Sequence, residues 1–133
     1  MNATSVGFIG TGVMGGPMAR NLQKAGFSLH IYARRPERVK EMTDAGAILH
    51  PSAAELAKNV DVTVTCLPAD AEIEEVVLDP EGWLSGAPSH SVLVDTTTAT
   101  PQTIVRVDET CKSKGIEVLD APISGGVRGA RDA

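Results

Sequence analysis

Three glycines spaced as Gly10-Thr11-Gly12-Val13-Met14-Gly15 form the stretch of this sequence best suited to holding phosphates. Gly10 suits a tight turn, Gly12 lets the backbone approach a pyrophosphate, and Gly15 permits close packing of a helix on a strand. The amide groups and positive dipole end of a helix starting there complete an anion site that needs no lysine. A second group follows at Tyr32-Ala33-Arg34-Arg35. Sites that take NAD place a carboxylate at this point to hold the adenosine ribose; Ala33 occupies it here, with two guanidinium groups after it. Such groups suit a ribose 2′-phosphate, so NADP is expected over NAD. Arg34 and Arg35 also read as solvated residues ahead of a helix.

Two more segments offer chemistry. Leu67 and Pro68 end an apolar run, and Pro68, lacking an N–H, shapes a rigid wall where a nicotinamide would pass. Asp95 leads into Thr96-Thr97-Thr98, where Thr97 and Thr98 present hydroxyl and backbone groups to a nicotinamide ribose or carboxamide. Asp95 and the threonines could instead cap the helix that starts at Pro101.

The elements that must carry these groups alternate along the chain. Ser5 to Ile9 reads as a buried strand, and Val13, Met14, Met18, Leu22 and Ala25 recur at helical spacing before Gly26. Strands are expected at 28–32, 47–49, 60–67, 91–95 and 116–119. Helices are expected at 36–44, 52–59, 71–77 and 101–114, with Ser52 and Glu55 forming a capping box. Strands separated by helices mean parallel βαβ units. The predicted fold is α/β, a doubly wound parallel Rossmann sheet over residues 1–133 as one dinucleotide-binding domain, its ligand crevice at the carboxyl ends of the strands. The glycine-rich last nine residues read as a loop leading away from the sheet.

Composition narrows the function. Hydrophobic residues make up 42% of the chain and charged ones 22%, a globular balance with no run approaching a membrane span. The net charge of −5 argues against nucleic acid as a partner, since that would need a basic face. The N-terminus lacks the basic and apolar regions of a secretory signal, which points to the cytoplasm. Cys66 and Cys111 read as buried or half-buried reduced thiols. His30, His50 and His90 are scattered without ligand spacing and receive no role.

Four segments together resemble the β-hydroxyacid dehydrogenases, a family that includes 3-hydroxyisobutyrate dehydrogenase and tartronate semialdehyde reductases, with 6-phosphogluconate dehydrogenase more distant. They are Gly7 to Gly15 continuing through Pro17-Met18-Ala19-Arg20-Asn21-Leu22; Cys66-Leu67-Pro68; Asp95-Thr96-Thr97-Thr98; and Asp120-Ala121-Pro122-Ile123-Ser124-Gly125-Gly126. The last is specific, because generic Rossmann domains lack it. The resemblance implies that Ser124, Gly125 and Gly126 hold the carboxylate and hydroxyl of a small acid beside the nicotinamide. A hydroxyl and two unobstructed amides form a nest suited to that task.

The resemblance also implies a lysine, on a long helix after this domain, that gives a proton to the forming alcohol, and an all-helical domain that closes the site and dimerises. No lysine occurs after Lys114. The expectation is therefore a fragment without its catalytic residue, inactive alone and prone to self-association, from an enzyme that is a homo-oligomer when intact. Two alternatives stay open: the cofactor domain of an imine reductase, which Ser124-Gly125-Gly126 disfavours, and a non-catalytic dinucleotide-binding module.

Overall fold

The computed structural model describes residues 4–133. Its strands are β1 (Ser5–Ile9), β2 (Ser28–Tyr32), β3 (Ile48–Leu49), β4 (Val62–Thr65), β5 (Val92–Asp95) and β6 (Glu117–Asp120). They form one parallel sheet in the order β3-β2-β1-β4-β5-β6, the doubly wound arrangement expected from the alternation of elements. The register carries Phe8 beside Ile31 on one side and Val64 on the other, and Val64 in turn beside Val94.

Side chains alternate across a strand, so the adjacent residues Phe8 and Ile9 serve opposite faces. Phe8 packs with Leu29, Ile31, Val39 and Met42 under α1 (Gly15–Lys24) and α2 (Lys40–Asp44). Ile9 joins the second core with Leu56, Ile73, Trp83, Leu93 and Val107. These come from α3 (Ala53–Ala57), α4 (Asp70–Ile73), α5 (Trp83–Gly86), β5 and α6 (Pro101–Lys112). Burial on both faces explains why β1 reads as an unbroken apolar run. Trp83 is fully enclosed, and its indole N–H donates to Thr63 Oγ1 at 3.0 Å, satisfying two buried polar groups at once.

Several expected elements differ in detail. The segment expected to be helical over 36–44 opens as a 3₁₀ turn at Pro36–Val39, and the one over 71–77 begins at Asp70 and widens into a π-helix at Glu74–Leu78. Ser52 accepts the Glu55 amide at 3.1 Å, but the Glu55 side chain pairs with Lys58, so the capping box is half made. Asp95 does not cap α6. Asp70 instead accepts from the Thr100 amide and hydroxyl at 3.0 and 2.8 Å, joining α4 to the start of α6 and holding its own carboxyl below the usual carboxylate range.

The expected C-terminal loop is instead a helix, α7 (Gly126–Asp132). Gly125 precedes it in the left-handed region at φ +101, a conformation glycine adopts without steric cost. The helix lies against α1, where the Asn21 side-chain amide donates to the Ala130 carbonyl at 2.7 Å. It buries none of its own side chains, which is why no apolar periodicity announced it.

The histidines also depart from expectation. His30 Nδ1 and His50 Nε2 lie 2.8 Å apart, with the rings within 12° of parallel. The β2 to β3 pairing sets His30 beside Ile48, two residues before His50. Burial lowers the pKa of both rings. Cys66 is half-buried and Cys111 buried, both as free thiols, and burial pushes the Cys111 thiol up to about 11.

Candidate functional site

A crevice of about 660 Å³ opens at the carboxyl ends of the central strands, within the size range of cofactor sites. Its floor is the turn from Gly10 to Gly15. A side chain on Gly10, at φ +99, would place its Cβ 2.1 Å from the Cys66 carbonyl oxygen, and one on Gly15 would lie 1.7 Å from the Gly10 carbonyl oxygen. Those two glycines are required by contact within the fold. A Cβ on Gly12 would meet nothing within 4 Å, so the space above it is open on the crevice side. The turn thus divides into two glycines that pack and one that leaves room, as a pyrophosphate requires. The start of α1 faces this space with no side chain capping its amides.

The flanking walls come from the strands on either side of β1. After β2, Tyr32, Ala33, Arg34, Arg35 and Arg38 line the crevice; after β4, Cys66, Leu67, Pro68, Glu72 and Val76 do so. Thr96, Thr97 and Thr98 close the far end beyond β5. Every cofactor residue expected from the sequence therefore lies on this surface: Gly10, Thr11, Gly12, Val13, Met14, Gly15, Ala33, Arg34, Arg35, Leu67, Pro68, Thr97 and Thr98. Of the three residues expected to hold substrate, Gly126 lines the crevice, joined by Ile123, while Ser124 and Gly125 are exposed and outside its wall.

A buried polar network ties the loops after β4 and β5. Asp95, 1% exposed, accepts through Oδ1 from the Thr65 hydroxyl at 2.8 Å and the Thr97 amide at 3.2 Å. The Thr97 hydroxyl accepts from the Leu67 amide at 2.9 Å. Thr96 donates its amide and its hydroxyl to the Thr65 carbonyl, each at 2.8 Å. These buried hydrogen bonds tie the loop after β4 to the loop after β5, while the second carboxylate oxygen of Asp95, Oδ2, is buried without a partner. Asp95 thus acts within the fold, joining the strand ends, and does not cap the helix that starts at Pro101 as the alternative reading had it.

Charge at the β2 end is arranged differently. Arg34 reaches across to the π-helix and pairs with Glu75 at 2.8 Å, with the two side chains 60% and 63% exposed. Arg35 and Arg38 form no ion pair among the described residues and line the same crevice. Arg38 was missed from sequence, although a 3₁₀ turn brings residues three apart onto one side and Pro36 marks its first turn. Glu72 was missed as well; its Oε2 is buried in the wall without a hydrogen-bond partner.

A parallel sheet in the 3-2-1-4-5-6 order, with a glycine turn and an uncapped helix start at the switch point, defines a dinucleotide-binding domain. Comparison with known proteins agrees. The model of the NAD binding domain of 6-phosphogluconate dehydrogenase matches residues 5–133, and the chain belongs to that family. It is 38% identical over 128 residues to the 3-hydroxyisobutyrate dehydrogenase of Pseudomonas aeruginosa, covering 96% of this chain and 43% of that protein. The structure of Mycobacterium tuberculosis 3-hydroxyisobutyrate dehydrogenase with L-serine superposes with a TM-score of 0.89 at 31% identity, over 98% of this chain and 44% of that one. An imine reductase from Pseudomonas sp. matches with a TM-score of 0.82 at 25% identity, over 96% and 43% of the two chains. The chain thus spans less than half the length of these relatives. Among the described residues no helix is long and apolar enough to cross a membrane.

Proposed function

We propose that this chain is the NADP(H)-binding part of an oxidoreductase that moves a hydride between the nicotinamide and a short β-hydroxyacid or its semialdehyde. The observation that carries the cofactor choice is the wall after β2, where Ala33 stands in place of a carboxylate and Arg34, Arg35 and Arg38 follow on the crevice surface. In this reading the pyrophosphate rests over Gly12 and the amides of α1, and the adenosine end turns toward the arginines. The nicotinamide end lies between Leu67-Pro68 and Thr97-Thr98, and when bound it supplies the hydride. Asp95 ties those two loops together, and exclusion of water is left to the closing domain that the resemblance implies.

The substrate class rests on Ser124, Gly125 and Gly126, of which Gly126 lines the crevice wall, and on the 3-hydroxyisobutyrate dehydrogenases among the relatives. An imine substrate would give an amine, with no carboxylate for those amides to hold. Among the described residues no lysine lines the crevice, and the reading is that this chain alone binds cofactor without turning over. Leu119, Ile123 and Val127 are exposed and near one another in sequence at the β6 to α7 end, apolar surface that supports self-association of this chain; the homo-oligomer of the intact enzyme rests on the family resemblance alone. The two free thiols suit a reducing compartment, taken to be the cytoplasm.

Calorimetric titration of the purified chain with NADPH and with NADH, at one fixed salt concentration, tests this. NADPH should bind at least about tenfold tighter, the value of one charge-assisted hydrogen bond near 1.5 kcal/mol. Arg34→Ala should weaken NADPH far more than NADH. Equal affinities in the parent chain and equal losses in the variant would overturn the 2′-phosphate reading.

A further inference from the structure

We propose that Glu75 is a specificity-determining residue that competes with a ribose 2′-phosphate for Arg34. The proposal rests on the reading that the arginines after β2 face the 2′ position of a bound dinucleotide.

Its basis is topological. β2 and β4 are separated in the sheet by β1, so the segments leaving their carboxyl ends start about 10 Å apart, two strand spacings. The Arg34 to Glu75 bridge closes this span at 2.8 Å, and Glu75 itself stands outside the crevice lining. Arg34 lies on the crevice wall, and Glu72 and Val76, which flank Glu75 on the same stretch, lie on the opposite wall. The π-helix puts consecutive glutamates to different uses: Glu74 turns to Arg106 of α6 at 3.1 Å, and Glu75 turns to Arg34. A π-helical turn of this kind often marks a functional position.

The chemistry follows from charge. The Glu75 carboxylate takes up one guanidinium nitrogen of Arg34 and part of its charge, so a 2′-phosphate on Arg34 either displaces it or shares the remaining donors, and in both cases lies close to that negative group. Both terms oppose the phosphorylated cofactor. A 2′-hydroxyl displaces nothing, and it can donate a hydrogen bond to a carboxylate. Glu75 therefore narrows the preference that Arg34, Arg35 and Arg38 create. Because both side chains are well exposed, the effect is modest and depends on salt.

The test is calorimetric titration of the parent chain, Glu75→Gln, Arg34→Ala and the double variant with NADPH and NADH at low and high salt, with thermal melts to verify folding. Glu75→Gln keeps the shape and removes the charge. It should tighten NADPH by about twofold to fivefold at low salt, leave NADH unchanged or weaker, and lose its effect at high salt and in the Arg34→Ala background. Equal changes for both cofactors, no change, or a gain that survives loss of Arg34 would overturn the proposal. The Arg34→Ala arm judges the 2′-phosphate reading separately: if it weakens NADPH and NADH alike, that reading fails and this one falls with it. If it discriminates while Glu75→Gln has no effect, only the role of Glu75 is lost. Absence of NADPH binding in every form overturns both.

Discussion

At the β4 and β5 end of the crevice, the walls are joined by hydroxyl, amide and carboxylate groups that are nearly all withdrawn from solvent, with Asp95 at the centre. At the β2 end, the connection is an ion pair whose two side chains stand mostly in solvent. The contrast bears on what each end can do. Apart from Asp95 Oδ2, which is buried without a partner, the groups of this network answer one another, and such a network resists rearrangement when a ligand arrives. An exposed ion pair contributes little and exchanges readily, so that end can trade one anion for another. On the proposed reading, the fixed geometry lies where a hydride would move and the exchangeable charge where two similar cofactors would be told apart.

The largest test of this contrast concerns the floor that both ends share. Gly10→Ala would set a methyl 2.1 Å from the Cys66 carbonyl oxygen in a left-handed backbone, and should cost about 3–5 kcal/mol by thermal or urea unfolding. A variant of parental stability would mean that the floor yields and that neither end is held by it. Next, Asp95→Ala leaves the Thr65 hydroxyl and Thr97 amide without their acceptor and should cost about 2–4 kcal/mol. Arg34→Ala should stay within about 0.5 kcal/mol of the parent. Similar losses for the two variants would erase the distinction between the ends.

The smallest effect sharpens the boundary of the exchangeable end. His30 and His50 lie just behind it, with His30 lowered by burial and then by His50, and His50 lowered by burial against an opposing pull from Glu55. A histidine lowered in the folded state binds fewer protons than in the unfolded chain. Stability should therefore be full well above pH 6.5, the ordinary value, and fall on acidification through and below it. Thermal melts between about pH 7.5 and 5.5 should show this slope, and His50→Gln should flatten it. An equal slope in the variant would remove the pair from the account.

The parts of this molecule legible in its sequence are those governed by local rules. The doubly wound parallel sheet followed from the alternation of elements, and the glycine turn from its spacing after an apolar strand, although Gly10 also answers to the Cys66 carbonyl, which lies far along the chain. The parts that stayed hidden depend on partners far along the chain. Nothing near Arg34 announces Glu75, and nothing near His30 announces His50 until β2 and β3 are paired. Asp95 could be placed at the end of a strand but not inside a network, since only the pairing of β4 with β5 brings the Thr65 hydroxyl to it. α7 went unread for a different reason: Gly126 and Gly129 lower helix propensity, and the helix is held by its contact with α1 rather than by its own composition.

The chain has one tryptophan and one tyrosine, and the fold sends them to different addresses. Trp83 is sealed in the core with its N–H bound to Thr63, while Tyr32 lines the crevice beside the arginines. The protein thus carries a single indole placed to report on the core alone. Its emission should shift when the core opens to water, so unfolding of the unliganded chain can be followed without a label.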